Sequence, residues 1–233
     1  MFRSARHARV FPQAEHARLA AAIAEGWDIA AYPIAGVPLE LLVRGVAEHD
    51  RGYGEMDDDA IGEVTESRWL SIQRAGFVPR EDPVVDLVVA MHIRRLVGWN
   101  RTEAALATAA DMDARLPELQ AAAGLTHAQA IQVDRVTHLC DMVAFDLCLE
   151  EPENGTVAVT RADGVDQMVA HRVDGLGGAT IDPWPLLVPE VEYRITAYHS
   201  DSYPERPLPQ PVDFTIAPVA LRERRDSNPR PPA

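Results

Sequence analysis

A histidine and an aspartate stand side by side in GVAEHDRGYGEMDD, residues 45–58, where an apolar run gives way to glycines and acids. Leu42, Val46 and His49 follow one another at spacings of four and three, which puts His49 on the buried stripe of a helix. Imidazole nitrogens and carboxylate oxygens are both common ligands of divalent metal ions. His49 and Asp50 are therefore either the polar end of a helix or part of a metal site, depending on whether other segments supply matching ligands.

Three further predicted helices carry ionisable side chains on the face that their apolar periodicity marks as buried. His16 lies on such a stripe in the first helix and His92 lies inside the most apolar one, while Asp134, His138 and Asp141 share one face of the last. A single buried histidine is commonly a hydrogen-bonded core residue, but several unpaired ionisable groups in one core are costly. A divalent cation would satisfy them together, because it takes neutral imidazoles and ionised carboxylates as ligands.

The elements that must position these side chains are helical over the first two-thirds of the chain. Apolar residues recur at helical spacing in 14–27, 38–50, 82–99, 101–122 and 126–151. Beyond them the pattern changes to short alternating segments, TVAVTRA, QMVAHRV and VEYRITAY, which are typical of strands and hairpins. We therefore expect a mainly α protein with three parts: a helical metal-binding domain (1–151), a small antiparallel β-rich appendage packed on it (152–220), and a disordered tail (221–233).

The composition excludes several kinds of chemistry. All 22 basic residues are arginine, so Schiff-base catalysis, a P-loop lysine and a lysine general base are ruled out. The formal net charge of −14 argues against a nucleic-acid partner, because phosphate contacts need clustered basic side chains. An acidic, solvated surface accounts for this charge.

The spacing of the two cysteines and the N-terminal residues indicate a protein of the reducing cytoplasm that does not enter a membrane. Cys140 and Cys148 are eight residues apart in one predicted helix, which separates their backbones by about 12 Å and forbids a disulfide between them. The first residues, MFRSARHARVFPQ, lack the apolar core of a signal peptide, and no apolar run approaches the roughly 20 residues of a membrane span. We expect two buried thiols and a cytoplasmic protein without a membrane partner.

The ordered set of ionisable residues resembles a known superfamily. An early histidine, a His-Asp pair ending a helix, a later helical histidine and a last aspartate form the signature of the HD-domain superfamily. More narrowly, the chain resembles the bacterial domain-of-unknown-function family 3891. The segments that carry this likeness, between residues 13 and 187, are QAEHARLAAAIAEGW, ELLVRGVAEHDRGYGEMD, DPVVDLVVAMHI, LCDMVAFDLCLEE and ATIDPWPL.

The resemblance implies an HD-domain-like helical bundle in which a divalent metal ion is bound by four side chains, those of His16, His49, Asp50 and Asp141. His92 would stand nearby, as a further ligand or as a general acid. Iron or manganese is favoured over zinc or magnesium. Glu55, just past the pair, is a candidate general base if its loop folds back, and otherwise a solvated acid.

The sequence departs from the pattern of two-metal HD proteins, which carry two separate histidines between the His-Asp pair and the last aspartate. His127 is fourteen residues before Asp141, or about 21 Å along one helix, and should not reach the site. His138 is three residues before Asp141 and can share its face, so it is the candidate ligand of a second ion. We expect one metal ion and leave a second one open.

These residues favour a metal-dependent hydrolase of a small phosphoester, since a Lewis-acidic ion activates water and polarises phosphoryl oxygens. Arg51, Arg94 and Arg95 are candidates to bind the phosphate, with salt bridges to the acidic surface as the alternative. The first rival function is an iron-dependent, diiron oxygenase of a small molecule on the same scaffold. The second is a non-catalytic metal- or ligand-binding protein. The sequence leaves the substrate and the oligomeric state open.

Overall fold

The computed structural model of the protein describes residues 1–34, 36–59, 64–80, 82–206 and 208–222, and for Glu55 it describes the backbone alone. The described residues form six α-helices and one seven-stranded sheet. The helices are α1 (Gln13–Glu25), α2 (Leu39–Ala47), α3 (Glu66–Gly76), α4 (Pro83–Trp99), α5 (Glu103–Ala123) and α6 (His127–Leu149). A 3-10 segment, Arg51–Asp58, follows α2.

The sheet draws its strands from both ends of the described chain. They are β1 (Phe2–Arg3), β2 (Arg9–Phe11), β3 (Pro152–Thr160), β4 (Asp166–Asp174), β5 (Gly178–Asp182), β6 (Val191–His199) and β7 (Pro209–Pro218). Their order across the sheet is β1-β2-β6-β7-β5-β4-β3. Neighbouring strands are antiparallel except β5 and β7, which run parallel.

The predicted fold class, a mainly α bundle with a small C-terminal antiparallel β-region, is wrong. The sheet is mixed, has seven strands and includes two from the N-terminus, so the protein has an α/β fold. Strand β7 alternates from Val212 to Ile216, but its prolines are unusual in a strand, and β1 and β2 are too short to show a pattern. Strand β7 contains Pro209, Pro211 and Pro218, and β1 and β2 have only two and three residues.

Helices and sheet share a hydrophobic core. Helix α1 packs against β6 and α6 against β3, and one buried cluster joins side chains such as Leu19, Leu139 and Ile195 from these elements. The change from helix to strand falls between Leu149 and Pro152, close to the predicted boundary at 151. The division into a domain and an appendage stays a prediction, and the tail beyond residue 222 lies outside the described residues.

Close helix packing sets the distance between the segments that carry the candidate ligands. Helix α2 packs on α1 and α4, and α6 packs on α1 and α4. A Cβ atom at Gly45 would lie 2.7 Å from Cβ of Val88, so only glycine lets α2 approach α4 this closely. This approach brings the residues after α2 next to His92 on α4.

Two other expectations concern single features of the chain. Cys140 and Cys148 are buried free thiols, as predicted from their spacing. Among the described helices, none combines the length and the apolar character that crossing a membrane requires.

Candidate metal centre

Five ionisable side chains from four segments converge in the interior. His16 comes from α1, His49 and Asp50 follow α2, His92 lies on α4 and Asp141 on α6. The histidines are at most 1% exposed, and the two aspartate side chains are 8% exposed. These groups are therefore buried in each other's company rather than in separate hydrogen-bonded pockets.

Asp50 and Asp141 each place one oxygen close to the Nε2 atoms of His16 and His49. The distance from His16 Nε2 is 3.0 Å to His49 Nε2, 3.1 Å to Asp141 Oδ1 and 3.7 Å to Asp50 Oδ2. His49 Nε2 is 3.5 Å from each of the same two carboxylate oxygens. Ligand atoms about 2.1 Å from one ion lie about 3.0 Å apart in octahedral and about 3.4 Å apart in tetrahedral coordination. The five observed separations lie near the edge lengths of such polyhedra.

The orientation of His49 suits a metal ligand. Its Nδ1–H donates to the Val46 carbonyl over 2.6 Å, which leaves Nε2 directed at the other ligand atoms. Burial by itself lowers the pKa of His49, but the Asp50 and Asp141 carboxylates raise it to about 9. Burial likewise opposes ionisation of Asp50, but the neighbouring histidines outweigh it and lower the pKa of that carboxyl to about 2. The carboxylates thus favour a positive charge at the centre.

His92 and Arg95 form the opposite side of the centre. Arg95 Nη2 donates to His92 Nδ1 over 3.1 Å. A guanidinium has donors only, so the ring proton of neutral His92 is on Nε2, which lies 3.3 Å from Asp50 Oδ1. Burial lowers the pKa of His92, and the attraction of Asp141 does not reverse this shift. His92 therefore presents a neutral N–H to the centre rather than a lone pair.

The donor set fits a divalent ion. Two groups of side chains, His16–His49–Asp50 and His49–His92–Asp141, have ligand atoms close enough together to hold one. The groups share His49, and Asp141 belongs only to the group that includes His92. His16 Nδ1 and His92 Nε2 are buried without a hydrogen-bond partner among the described residues. Imidazoles and carboxylates in this number suit iron, manganese or zinc better than magnesium.

The segment after the His-Asp pair is anchored on both sides. Asp57 accepts hydrogen bonds from the backbone N–H groups of Gln13 and Ala14, which caps the start of α1. Arg51 donates to the Gly76 and Val78 carbonyls and to Asp86 Oδ1. These contacts occupy Arg51 in holding the segment.

The remaining candidate residues have distinct surroundings. His138 packs against the ring of Trp99 and belongs to neither ligand group found among the described residues. Burial, followed by the charge of Arg95, lowers the pKa of His138 to about 4. Arg94 pairs with Asp113 at the surface. The backbone of Glu55 belongs to the 3-10 segment, but its side chain lies outside the described residues, so its role as a base stays a prediction.

Arg95 has a larger part in the centre than the sequence suggested. It was one of three equal candidates for a phosphate contact, yet its Nη1 lies 3.5 Å from Asp141 Oδ2 and its Nη2 contacts His92. The available signal was its position three residues after His92, on the same helix face.

Two cavities bear on access to the centre. One of about 150 Å³ reaches Asp50 and is bounded by alanines of α1 and α2 and by Gln13, whose buried Oε1 has no hydrogen-bond partner among the described residues. Another, of about 630 Å³, lies over β3, β4 and β5 and includes none of the five cluster residues. We assign access to the smaller one because it borders a candidate ligand.

Comparisons with known proteins give one match. The family model described as Protein of unknown function (DUF3891) matches residues 72–199. That range holds His92 and Asp141 and begins after His49 and Asp50. No curated protein and no solved structure matches the chain.

Proposed function

The chain belongs to the DUF3891 family of proteins of unknown function, and we propose that it is a metal-dependent hydrolase of a small phosphoester. The observation that carries the proposal is that Asp50 and Asp141 each place one carboxylate oxygen within 3.7 Å of the Nε2 atoms of both His16 and His49. The choice of reaction is made by analogy with the HD-domain superfamily, which the ordered set of ionisable residues resembles.

The metal would be held by four residues of this chain. His16 and His49 would supply Nε2 atoms, and Asp50 and Asp141 would each supply one carboxylate oxygen. When bound, a divalent ion acts as a Lewis acid toward water and phosphoryl oxygens. The two carboxylates offset its charge in the buried centre.

His92 would contribute a hydrogen bond. Its Nε2–H is held toward Asp50 because Arg95 occupies Nδ1. A neutral imidazole donates to a phosphoryl or leaving-group oxygen without adding a second full charge to the site. In this role His92 donates a hydrogen bond and does not bind the metal ion. Metal binding by His92 was the alternative that the sequence left open.

The space beside Asp50 favours a small substrate. The adjoining cavity of about 150 Å³ is bounded by alanines of α1 and α2 and by the charged side chains of Glu48, Arg51 and Asp57. Each water takes about 30 Å³ of liquid, so this space accepts a group the size of phosphate but not a nucleic-acid chain. The net charge of −14 also disfavours a polyanionic substrate.

A hydrolysis assay tests the proposal. The purified protein, loaded with Mn²⁺ or Fe²⁺ and offered a panel of phosphomonoesters and phosphodiesters, should release phosphate or alcohol, and chelation should stop the reaction. Asp141→Asn should remove the activity, whereas Asp113→Asn, which alters only a surface pair with Arg94, should keep it. A metal-loaded protein that hydrolyses none of the panel would contradict the proposed reaction.

The iron-dependent oxygenase is a second candidate because of one feature. Asp50 and Asp141 each have their second carboxylate oxygen near a nitrogen of His92, so these oxygens would be available to a further cation. Oxygen uptake by the iron-loaded protein during turnover would favour the oxygenase over the hydrolase. The guanidinium of Arg95 disfavours the oxygenase, because its positive charge lies beside His92 and Asp141.

A further inference from the structure

We infer that strand β3 is an interaction surface and that it pairs with β3 of a second copy of this chain. The inference rests on the open edge of the sheet and is independent of the proposed metal centre. Antiparallel pairing of the two strands across a two-fold axis joins the sheets of both protomers into one continuous sheet.

The two edges of the sheet differ in length. Strand β1 forms one edge and has two residues, whereas β3 forms the other and has nine. All nine residues of β3 pair with β4 in unbroken register, so no bulge interrupts this edge. Between Asn154 and Thr160 the strand contains no proline and no charged residue. Short length, bulges, prolines and charges are what keep an edge from pairing, and the central part of β3 has none of these.

The backbone groups of β3 that face away from β4 follow from two hydrogen bonds next to the strand. Arg161 N–H donates to the Val165 carbonyl across the hairpin, whereas Ala162 N–H donates to the Ala31 carbonyl on the outer side. The direction of the backbone N–H and C=O groups alternates along a strand. The groups that face outward therefore belong to Asn154, Thr156, Ala158 and Thr160. No backbone group of the described residues bonds to them from outside the strand.

The outward groups of β3 match those of a second β3 in antiparallel orientation. We place the two-fold axis at Val157. The outward groups of Asn154 then meet those of Thr160 in the second copy. Those of Thr156 meet Ala158 in the same way, so each outward N–H and C=O group of this stretch gains a partner.

The charges at the two ends of β3 are complementary in this register. Glu153 and Arg161 are each four residues from Val157, so Glu153 of one copy lies opposite Arg161 of the other, once on each side of the axis. Opposite charges that face each other across a strand pair stabilise it. Glu153 has no salt bridge among the described residues, and Arg161 has only an exposed one with Asp163. Both side chains are therefore available to the second copy.

The test is the mass of the protein in solution, measured by analytical ultracentrifugation at physiological ionic strength. The wild type should be a dimer. Glu153→Arg and Arg161→Glu each turn two attractive pairs into repulsive ones, so each should weaken dimerisation by about 10-fold or more. An equimolar mixture of these two variants restores opposite charges in the heterodimer and should dimerise like the wild type. Arg3→Glu, at the other edge of the sheet, is the matched control and should stay dimeric.

Amide hydrogen exchange locates the contact. The outward N–H groups of Thr156 and Ala158 should be protected in the wild type and should exchange faster in the variants that dissociate. A monomeric wild type overturns the inference, and so does a dimer in which these two amides exchange freely. Single charge variants that dimerise like the wild type, or a mixture of them that dimerises no better than each alone, also overturn it. Metal content and hydrolysis are measured separately, so the proposed function survives any of these results.

Discussion

Two regions of this protein bury histidine against aspartate, and they differ in how the charges are matched. His171 on β4 and Asp146 on α6 form a pair, with Nε2 2.6 Å from Oδ2, and both residues are at most 5% exposed. At the proposed centre, three histidines and two aspartates come together from four segments. The pair makes one hydrogen bond and leaves His171 Nδ1 buried without a partner among the described residues, whereas the centre brings ligand atoms of five side chains together.

The comparison shows which feature points to a metal. Burial of a histidine beside an aspartate is common to both regions, so it does not distinguish them. The number of ligand atoms that come together does distinguish the two regions. In the centre, His16 Nε2 has another imidazole nitrogen 3.0 Å away as well as carboxylate oxygens nearby. A cation would satisfy such a set of ligand atoms, whereas the pair offers one imidazole and one carboxylate, fewer ligands than a metal site requires.

The largest effect is expected on metal affinity. His49→Ala and Asp50→Ala each remove a proposed metal ligand. Loss of a residue that only hydrogen-bonds to a ligand lowers metal affinity by up to about 100-fold, so loss of a ligand itself should lower it by more. Metal content after dialysis measures this. His171→Ala is the matched control and should keep the metal. Wild-type content in either centre variant would show that the site is misassigned.

His92→Ala tests whether His92 donates a hydrogen bond in the reaction or binds the metal ion. The variant should keep its metal and lose about 10²–10⁴ in the rate of hydrolysis, because a positioned donor is removed. Elemental analysis and a rate measurement on one sample decide this. Loss of the metal would place His92 among the ligands, and an unchanged rate would remove it from the reaction.

Breaking the separate pair should affect stability alone. Asp146→Ala leaves His171 buried without its partner, so the free energy of unfolding should fall by about 3 kcal/mol. Chemical denaturation measures it. The double variant Asp146→Leu/His171→Leu should recover much of the loss, since apolar replacement of a buried pair is often neutral. Loss of metal from these folded variants would erase the contrast between the two regions.

The smallest effect is expected at His138. It packs on Trp99 outside both ligand groups of the described residues, so His138→Gln should leave the metal content unchanged. Elemental analysis of this variant beside the wild type is sufficient. Loss of one ion of two, together with oxygen-dependent activity, would restore the diiron alternative.

Apolar stripes of helical period marked His16, His49 and His92 and, on the last helix, Asp141 together with Asp134 and His138. The resemblance to the HD-domain superfamily singled out the five cluster residues and left His138 as the candidate ligand of a second ion. The sequence did not predict the contact of Arg95 with His92, since charged residues at helix surfaces usually pair with solvent-exposed acids. Arg94, the neighbouring residue, does so. Successive residues of a helix point about 100° apart, so Arg94 faces Asp113 on α5 while Arg95 faces Asp134 on α6.

The fold was predicted less well than the centre. Strands β3, β4 and β6 were anticipated from alternation, whereas β5 has only five residues and begins at Gly178. Pairing of β2 with β6 joins segments about 190 residues apart, for example Val10 with Tyr198, and local patterns carry no information on such contacts. The α/β architecture therefore followed only from the structure.

The central claim is that His16, His49, Asp50 and Asp141 bind one divalent ion. The most direct test is elemental analysis of the wild-type protein after saturation with Mn²⁺ and exhaustive dialysis, alongside Asp141→Asn. We predict about one ion per wild-type chain and almost none in the variant. A folded wild-type protein that retains no metal, or a variant that retains as much as the wild type, would contradict the account.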